Sequence, residues 1–263
     1  MPELPEVETV VRSISPYITG HAILHAEVFS KRVTRASFAI TAKRLTGATI
    51  QKVRRQGKQI FVHLDCGVLY IHLGMTGKLL WNGPRTKYAR AILELDNGTL
   101  IFDDVRQFGR FEYFAKIPDF LARTGPDALT VSAAEFAERL KRHSGHIKPL
   151  LLNQSFIGGV GNIYADEALF AARIHPRARA NRLSKLRAEE LHGHIVAILE
   201  LAIQHGGSSI SNYVDADGTR GNYQQQHNVY GRKGEPCPCC GKAIRRIVLG
   251  QRGTHYCPRC QRP

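Results

Sequence analysis

Residues 1–8, Met-Pro-Glu-Leu-Pro-Glu-Val-Glu, open the stretch around which the rest of the chain is organised. From residue 4 the apolar side chains recur at the spacing of one helix face: Leu4, Val7, Val10, Val11, Ile14 and Ile18. Proline and glutamate favour a first helical turn, because proline has no N–H to leave unpaired and acids suit the positive end of the helix dipole. The sequence therefore predicts an amino-terminal helix with one face available to a core.

Residues 21–115 are predicted to form strands that pack against this helix. Runs such as residues 59–64 and 68–73 are short, rich in β-branched and aromatic residues, and bounded by turn residues. The segment Asp96-Asn97-Gly98 is typical of a hairpin turn. Many short strands after a single helix predict an antiparallel sandwich or barrel.

The pattern changes to a helical one near residue 132. Helices are predicted at four segments: residues 132–143, 147–155, 162–173 and 183–205. Residues 206–232 are rich in Gly and Gln, and a loop of this length in a compact protein is usually functional or disordered. The predicted domains are an N-terminal β-sandwich at 1–130, a helical domain with its loop at 131–232, and a C-terminal zinc segment at 233–263.

The chain is strongly basic. Its 263 residues include 37 Lys and Arg against 22 Asp and Glu, which gives a formal charge of +15. Such an excess favours a polyanion as partner. No apolar run approaches the roughly 18 residues of a membrane helix, and the N-terminus lacks a basic region followed by an apolar one. We therefore expect a cytoplasmic protein that binds nucleic acid rather than a membrane.

Two Cys-Pro-x-Cys motifs near the C-terminus predict a metal site. Cys237 and Cys240 are followed, after sixteen residues, by Cys257 and Cys260. This spacing is typical of a tetrahedral structural zinc site. Four thiolates leave no position open for water, so we expect one structural Zn2+ and no catalytic role for it. Cys239 is predicted to lie outside the ligand set.

A glycine-rich turn precedes the third predicted helix. The glycines of residues 158–161 let backbone N–H groups approach an anion, and Asn162 adds a side-chain donor at the positive end of the helix dipole. A dinucleotide-binding fingerprint needs a preceding strand, whereas a helix is predicted there. The segment is therefore predicted to bind a phosphate.

The terminal residues Pro2 and Glu3 are a candidate nucleophile and acid. A small second residue normally lets the initiator Met be removed, which would leave Pro2 with a free secondary amine. An unperturbed α-amino group has a pKa of about 7.7 to 8.0, against about 10.4 for lysine, so more of it is unprotonated at neutral pH. Its attack on a sugar's anomeric carbon would give an iminium, or Schiff base, and Glu3 could transfer the protons. The alternative is that both residues only begin the helix.

The Pro-Glu-Leu-Pro-Glu-Val-Glu-Thr segment at residues 2–9 resembles the signature of the bacterial formamidopyrimidine-DNA glycosylases, which excise oxidised purines. The Asn-Ile-Tyr-Ala-Asp-Glu segment at residues 162–167 resembles the helix-two-turns-helix motif of that family. The resemblance implies an α+β multidomain protein with an N-terminal helix and antiparallel β-sandwich, then a helix-two-turns-helix domain with a C-terminal zinc-finger hairpin. It also implies removal of 8-oxoguanine and formamidopyrimidines through a Schiff base at the terminal proline, followed by β,δ-elimination.

The resemblance assigns roles to individual residues. The implied catalytic residues are Pro2, Glu3, Lys58 and Arg252. The residues implied to contact DNA are Met75, Arg106, Phe108, Lys148 and Asn162. Tyr88, which together with Arg90 occupies a place where other members carry a pair of histidines, is a further predicted DNA contact. Within this set Met75, Arg106 and Phe108 would fill the space that a flipped base leaves. Without the resemblance, Lys58 would be a solvated turn residue, and Met75 and Phe108 would be core residues.

Two other functions stay open from the sequence. A sister family acts on oxidised pyrimidines, but it typically has Gly where this chain has Leu4. A non-catalytic zinc-ribbon protein would explain the charge and the cysteines but leaves Pro2 and Glu3 without a purpose. The favoured prediction is a base excision repair enzyme that acts on damaged double-stranded DNA. We expect it to be a monomer, without a nucleotide cofactor, at the nucleoid of a bacterial cell.

Overall fold

The computed structural model describes residues 1–210 and 213–262. The chain forms two compact units. The first comprises Met1–Arg123 and Ile203–Gln224, and the second comprises Thr124–Ala202 and Gln225–Pro263. The segment Ile203–Gln224 thus belongs with the N-terminal part of the chain, although it follows the predicted helices in sequence.

Helix α1 (Leu4–Ile18) begins directly after the residues of chemical interest. Its buried residues include all six apolar positions of the predicted face. The carboxylate of Glu6 accepts a hydrogen bond from the backbone N–H of Glu3 at 2.7 Å, which satisfies a donor that a helix start otherwise leaves unpaired. The predicted N-terminal helix is therefore confirmed, and its first turn is held by its own side chains.

Eight strands follow and form two antiparallel sheets. They are β1 (Ile23–Val28), β2 (Ile50–Gln56), β3 (Gln59–Leu64), β4 (Gly67–His72), β5 (Gly77–Trp81), β6 (Ala89–Leu95), β7 (Gly98–Asp104) and β8 (Arg110–Phe114). One sheet has the order β1-β6-β7-β5, and the other has the order β2-β3-β4-β8. Side chains of both sheets and of α1 share one apolar core, in which Val10, Ile60 and Phe102 are buried. This arrangement is the predicted sandwich with the helix packed against it.

The first unit departs from the prediction at α2 (Phe38–Leu45), a helix inside the region expected to be all strand. Its buried residues are Thr41 and Leu45, which lie four residues apart on one helix face. Ile40 and Thr41 are β-branched, and such residues favour strands in a sequence pattern. The expectation of strands alone is therefore wrong for these residues, because packing overrides that local preference.

The four predicted helices are present. After a short helix α3 (Asp119–Ala122) come α4 (Ala133–Lys141), α5 (Ile147–Leu152), α6 (Asn162–Ala171) and α7 (Lys185–Gln204). The hydroxyl of Ser132 accepts a hydrogen bond from the N–H of Glu135 at 3.1 Å and so caps α4. Helix α6 is buried continuously from Ile163 to Phe170. A helix buried on all sides contacts other segments all round, and α6 therefore organises the second unit.

Strands β9 (Arg245–Leu249) and β10 (Arg252–Tyr256) form a two-stranded antiparallel hairpin. Its turn consists of Gly250 and Gln251, with φ of +57° and +60°. Two successive residues with positive φ are typical of a type I′ turn, whose twist matches that of paired strands. This turn places Arg252 at the start of β10, where the residue is exposed.

Candidate active site and DNA-contacting residues

Pro2 and Glu3 are buried at the start of α1, whereas Met1 is 50% exposed. Glutamate is rarely buried to this extent unless it has polar partners, and Glu3 is only 3% exposed. The predicted nucleophile and acid thus lie side by side and shielded from solvent.

Glu6 is a functional residue that the sequence reasoning missed. One oxygen of its buried carboxylate accepts from the N–H of Glu3, and the other accepts from the N–H of Ser208, each at 2.7 Å. Gly207 has a φ of +79°, and a Cβ there would lie 2.8 Å from the Glu6 carboxylate. A side chain at residue 207 is therefore disfavoured both by the backbone conformation and by the lack of space. Glu6 thus fixes the start of α1 against the segment that follows α7.

Lys58 lies in the tight turn between β2 and β3. Gln56 pairs with Gln59, so Gly57 and Lys58 form a two-residue hairpin connection. Lys58 is only 5% exposed, although a solvated turn lysine would be largely exposed. The burial excludes the simpler interpretation of Lys58 as a surface charge. A lysine kept in this setting is held close to one position, as a proton-transferring group requires.

His72, at the end of β4, is a second residue that the sequence reasoning missed. Burial, together with the positive charges of Lys58 and Arg110, lowers its pKa from 6.5 to about 4. Its Nδ1 accepts a hydrogen bond from the N–H of Gly74 at 3.0 Å, so the proton of the neutral ring lies on Nε2. A neutral imidazole near Lys58 can donate a hydrogen bond without adding a second positive charge. A histidine two residues before the Gly74-Met75-Thr76-Gly77 loop was the available signal.

We expect the imidazole of His72 to stay neutral as the pH falls from 7 to 5, and an NMR titration of its ring nitrogens would measure this. Because the folded-state pKa lies below the unfolded value, the unfolded chain binds the proton first. The contribution of His72 to stability is therefore lost as the pH falls from about 6.5 towards about 4. Lys58→Met should raise the pKa, since it removes one positive charge. Protonation of His72 above pH 6 would contradict this account.

Met75, Arg106 and Phe108 lie on two loops of the first unit. Met75 is 39% exposed between β4 and β5, and Phe108 is 56% exposed between β7 and β8. The guanidinium of Arg106 lies over the ring of Phe108, 4.7 Å from its centroid. These exposures exclude the alternative that Met75 and Phe108 are core residues. The three side chains are available to enter a DNA duplex, as predicted for filling a gap.

A buried carboxylate holds the two loops together. Asp104 accepts hydrogen bonds from the hydroxyl of Thr76 at 2.5 Å and from the N–H of Gly109 at 2.8 Å. The Thr76 oxygen also accepts from the N–H of Arg106 at 3.0 Å. The loop that carries Met75 is thereby fixed relative to the loop that carries Arg106.

Tyr88 lies just before β6 and is half-buried. Its ring is flanked by two cations, since the Lys87 ammonium lies 5.3 Å and the Arg90 guanidinium 6.0 Å from the ring centroid. Aromatic rings attract cations at these distances, which concentrates positive charge near the ring. A contact of Tyr88 with DNA stays a prediction.

Lys148 is buried inside the second unit. The residue has 0% exposure, and its ammonium forms an ion pair with Asp166 at 2.6 Å. The ammonium also donates to the backbone carbonyl of Gly253 at 3.0 Å. In this structure the Lys148 ammonium is paired inside the protein, and a contact of Lys148 with DNA stays a prediction. Its bond to Gly253 supports the residue next to Arg252.

Asn162 supports the same point of the hairpin. Its amide nitrogen donates to the carbonyl of Gly253 at 3.1 Å. An asparagine amide has two N–H bonds, so this contact leaves a second hydrogen for another acceptor. Asn162 starts α6, where the helix dipole favours an anion. The predicted phosphate contact of Asn162 is compatible with this geometry.

Two acids of α6 hold the segments that carry the zinc motif. Asp166 accepts from the N–H of His255 in β10 at 2.9 Å. Glu167 accepts from the backbone N–H groups of Asn228, Val229 and Tyr230 at 2.8 to 2.9 Å. Both acids are almost fully buried, at 0% and 1% exposure. The Asp-Glu pair in an otherwise apolar helix was the signal for these roles, and buried acids need such partners.

The four predicted metal ligands come together in the second unit. The sulfur atoms of Cys237, Cys240, Cys257 and Cys260 all lie within 4.8 Å of one another. The sulfurs of Cys237 and Cys260 are 3.9 Å apart, and those of Cys240 and Cys257 are 3.5 Å apart. A tetrahedral zinc with Zn–S bonds of about 2.3 Å needs sulfurs about 3.8 Å apart. The residues therefore fit one closed structural zinc site, and Cys239 is exposed outside it.

The loop after α7 is described at residues 206–210 and from residue 213 onwards. The hydroxyl of Ser209 donates to the carbonyl of Tyr213 and accepts from the N–H of Gly221, each at 2.9 Å. The side chain of Gln224 accepts from the N–H of Ser209 at 2.9 Å. These contacts close the base of the loop, so its described parts have a defined conformation.

Three family models match the chain. The formamidopyrimidine-DNA glycosylase N-terminal domain matches residues 1–111, the H2TH domain of the same glycosylase matches residues 124–214, and a zinc finger found in FPG and IleRS matches residues 234–263. The formamidopyrimidine-DNA glycosylase of Solibacter usitatus is 51% identical over 264 residues, which cover 100% of each chain. The chain belongs to the formamidopyrimidine-DNA glycosylase family.

Solved structures of formamidopyrimidine-DNA glycosylases share this fold. A mutant Lactococcus lactis enzyme in complex with a Fapy-dG containing DNA gives a TM-score of 0.92 at 39% identity, with 100% of both chains covered. The MutM (FPG) protein of Thermus thermophilus gives 0.90 at 39% identity, with 99% of this chain and 98% of that one covered. The family assignment confirms the predictions of a DNA repair glycosylase, of the α+β fold and of a structural zinc. Within the described residues, no helix has the length and apolar character to span a membrane.

Proposed function

We propose that this glycosylase removes 8-oxoguanine and formamidopyrimidines through a Schiff base at Pro2 and then cleaves the abasic site by β,δ-elimination. The observation that supports this most is the burial of Pro2 and Glu3 together at the start of α1. Glu3 is also the N-cap of α1 in a capping box with Glu6, so the same carboxylate begins the helix and lies beside the amine. The buried Lys58 supplies a further proton-transferring group in the same unit.

The chemistry follows from an amine next to an acid. Once Met1 is removed, the Pro2 nitrogen attacks the anomeric carbon, the glycosidic C–N bond breaks, and the departing base takes a proton from Glu3. The Pro2 nitrogen then loses its proton, the sugar ring opens as its oxygen takes up a proton, and the nitrogen lone pair forms an iminium, which makes the neighbouring C2′–H acidic. Loss of that proton breaks the C3′–O bond, and a second elimination breaks the C5′–O bond. Water then hydrolyses the iminium, which releases the unsaturated sugar fragment as an aldehyde and restores the Pro2 amine. The DNA product is a one-nucleotide gap with a phosphate at each end.

Damaged double-stranded DNA is the proposed partner. The formal charge of +15 supports it, as do the exposed side chains of Met75, Arg106 and Phe108. Arg252, exposed beside the hairpin turn, is suited to the phosphates of the flipped nucleotide and to the final elimination. We further propose that the protein acts as a monomer, without a nucleotide cofactor, in the bacterial cytoplasm at the nucleoid.

Replacing Glu3 by Gln tests the assignment of the acid. The change keeps the size of the side chain but removes the proton that the departing base takes. We expect excision from a duplex with one 8-oxoguanine to fall by at least about 100-fold, the lower range for a general acid. Cleavage of a pre-formed abasic site should fall much less, because there the base has already left. Single-turnover rates on the two duplexes measure this difference.

Borohydride reduction gives the direct readout, because it converts an iminium into a stable protein–DNA adduct. The unaltered chain and Glu3→Gln should both be trapped on abasic DNA. Glu94→Gln is the matched control: it makes the same change at an exposed residue of β6 and should behave as the unaltered chain. A non-catalytic zinc-ribbon protein would give no adduct at all. If Glu3→Gln lowered the single-turnover rate equally on both duplexes, Glu3 would not be the acid for departure of the base.

A further inference from the structure

The turn that carries Lys58 is held by a buried guanidinium. Arg55, the penultimate residue of β2, donates through Nη1 to the carbonyl of Gly57 at 3.0 Å. Through Nε it donates to the carboxylate of Glu8 at 2.7 Å. The guanidinium is a planar fork with fixed donor directions, so two contacts determine its orientation. Gly57 immediately precedes Lys58, and its carbonyl belongs to the peptide unit that orients the Lys58 backbone.

Burial distinguishes this contact from the surface ion pairs of the chain. The Arg55 side chain is 8% exposed and that of Glu8 is 18% exposed. Arg12 also reaches Glu8 at 2.7 Å, but its side chain is 65% exposed. Burial alone would raise the pKa of Glu8, but hydrogen bonds from Arg55 and Arg12 hold it below its ordinary value. Glu8 is therefore a carboxylate at neutral pH, and Arg55 is its shielded partner.

Glu8 connects the pair to the helix that begins beside Pro2. Glu8 lies on α1, five residues after Glu3, on the same rigid helix that begins beside Pro2. Helix α1 packs against β2 and β3, which flank the turn. The path from Glu8 through Arg55 to Gly57 therefore connects the helix that carries the amine to the turn that carries Lys58.

We propose that Arg55 and Glu8 are a positioning pair that fixes Lys58 relative to the amine of Pro2. Neither residue need touch DNA in this role, which rests on the proposed function because it requires Lys58 to act in the elimination steps. Proton transfer depends steeply on the separation of donor and acceptor, and a displacement of about 1 Å can cost about 100-fold in rate.

The test combines Arg55→Met with Lys58→Met. Single-turnover cleavage of a duplex with one abasic site is measured at saturating enzyme for the four combinations. With Lys58 present, Arg55→Met should slow cleavage by about 10-fold or more, while the enzyme concentration at half-saturation changes little. With Lys58→Met, the added Arg55→Met should cost less than about 2-fold, because residues that act as one unit are not additive.

Arg12→Met is the matched control. It removes a guanidinium from the same Glu8 carboxylate, but Arg12 is exposed and the pair is a surface one. It should change the saturating rate by less than about 2-fold. Glu8→Gln provides a second variant that keeps the side-chain size. It should give a smaller loss than Arg55→Met, again only when Lys58 is present, and it carries the test if Arg55→Met does not fold.

Equal loss from Arg55→Met with and without Lys58 would overturn the proposal, since Arg55 would then act on stability or DNA binding alone. An unchanged rate in the presence of Lys58 would overturn it too. If Lys58→Met itself leaves cleavage unchanged, there is nothing for the pair to position and the proposal fails. Borohydride trapping of the unaltered chain would in that case still support the Schiff base at Pro2, so the two failures are distinguishable.

Discussion

An N-terminal extension that stays attached ahead of Pro2 is expected to abolish both base excision and strand cleavage. In the extended chain the Pro2 nitrogen is an amide, whose lone pair is delocalised into the carbonyl, so it cannot attack carbon. We expect a loss of at least about 1,000-fold in the single-turnover rate, equivalent to a barrier increase of about 4 kcal/mol. DNA binding should change little, because the exposed residues proposed to contact DNA lie elsewhere on the chain. Excision assays and binding titrations with one lesion duplex measure both effects.

The control is the same extended protein after cleavage at the bond before Pro2, which should recover full activity and borohydride trapping. An extension of equal length at the C-terminus should leave excision intact. Full activity of the uncleaved protein would exclude the terminal amine as nucleophile. Lys58 would then be the next amine to consider, because it is buried in the same unit.

Replacing Cys257 by Ser is expected to release zinc and to remove DNA binding and catalysis together. Cys257 is fully buried and shares a small cluster with Phe170, Val229, Cys237 and Ile244. Structural zinc contributes about 10 to 16 kcal/mol of apparent binding free energy in small finger peptides, which a cluster of this size cannot replace. The hairpin that presents Arg252 should therefore lose its structure. The β-sandwich has its own core and should stay folded, as circular dichroism would show.

Arg252→Ala separates the metal from the arginine. It should keep zinc and the fold but weaken DNA binding, because it removes one proposed phosphate contact. Cys239→Ser is the matched cysteine control and should retain zinc, binding and activity, since Cys239 is exposed outside the ligand set. Zinc content measured beside binding decides the outcome. Loss of zinc from Cys239→Ser, or normal cleavage by zinc-free protein, would refute these assignments.

Sequence patterns predicted the parts of this molecule that depend on nearby residues. The spacing of Leu4 to Ile18 predicted α1, and two short cysteine motifs predicted the zinc site, because each signal is contained in a few residues. The burial of Lys148 was missed because it depends on Asp166 and on the carbonyl of Gly253, which lies 105 residues away. A basic residue in a nucleic-acid-binding chain looks like a phosphate contact until its internal partner is known.

The same limit applies to the residues that hold the site. Glu8 and Arg55 are 47 positions apart, and each alone looks like an ordinary surface charge. Glu6 resembles any acid in a first helical turn, and nothing local indicates that Ser208 donates to it. Partners this far apart in sequence can be recognised only once the fold is known. The amine and the acid proposed for the chemistry, by contrast, can be recognised from the terminal sequence itself.

The contact between Glu6 and Ser208 bears on how the protein is made. The two residues are 202 positions apart, so at about 5 to 20 residues per second Ser208 is synthesised about 10 to 40 seconds after Glu6. During that interval the start of α1 has left the ribosome without the N–H that later fixes it. The removal of Met1 that the mechanism requires can therefore take place on a terminus that is not yet enclosed. In this order of biosynthesis the proposed nucleophile is exposed first, and the contact with Ser208 that fixes the helix start forms later.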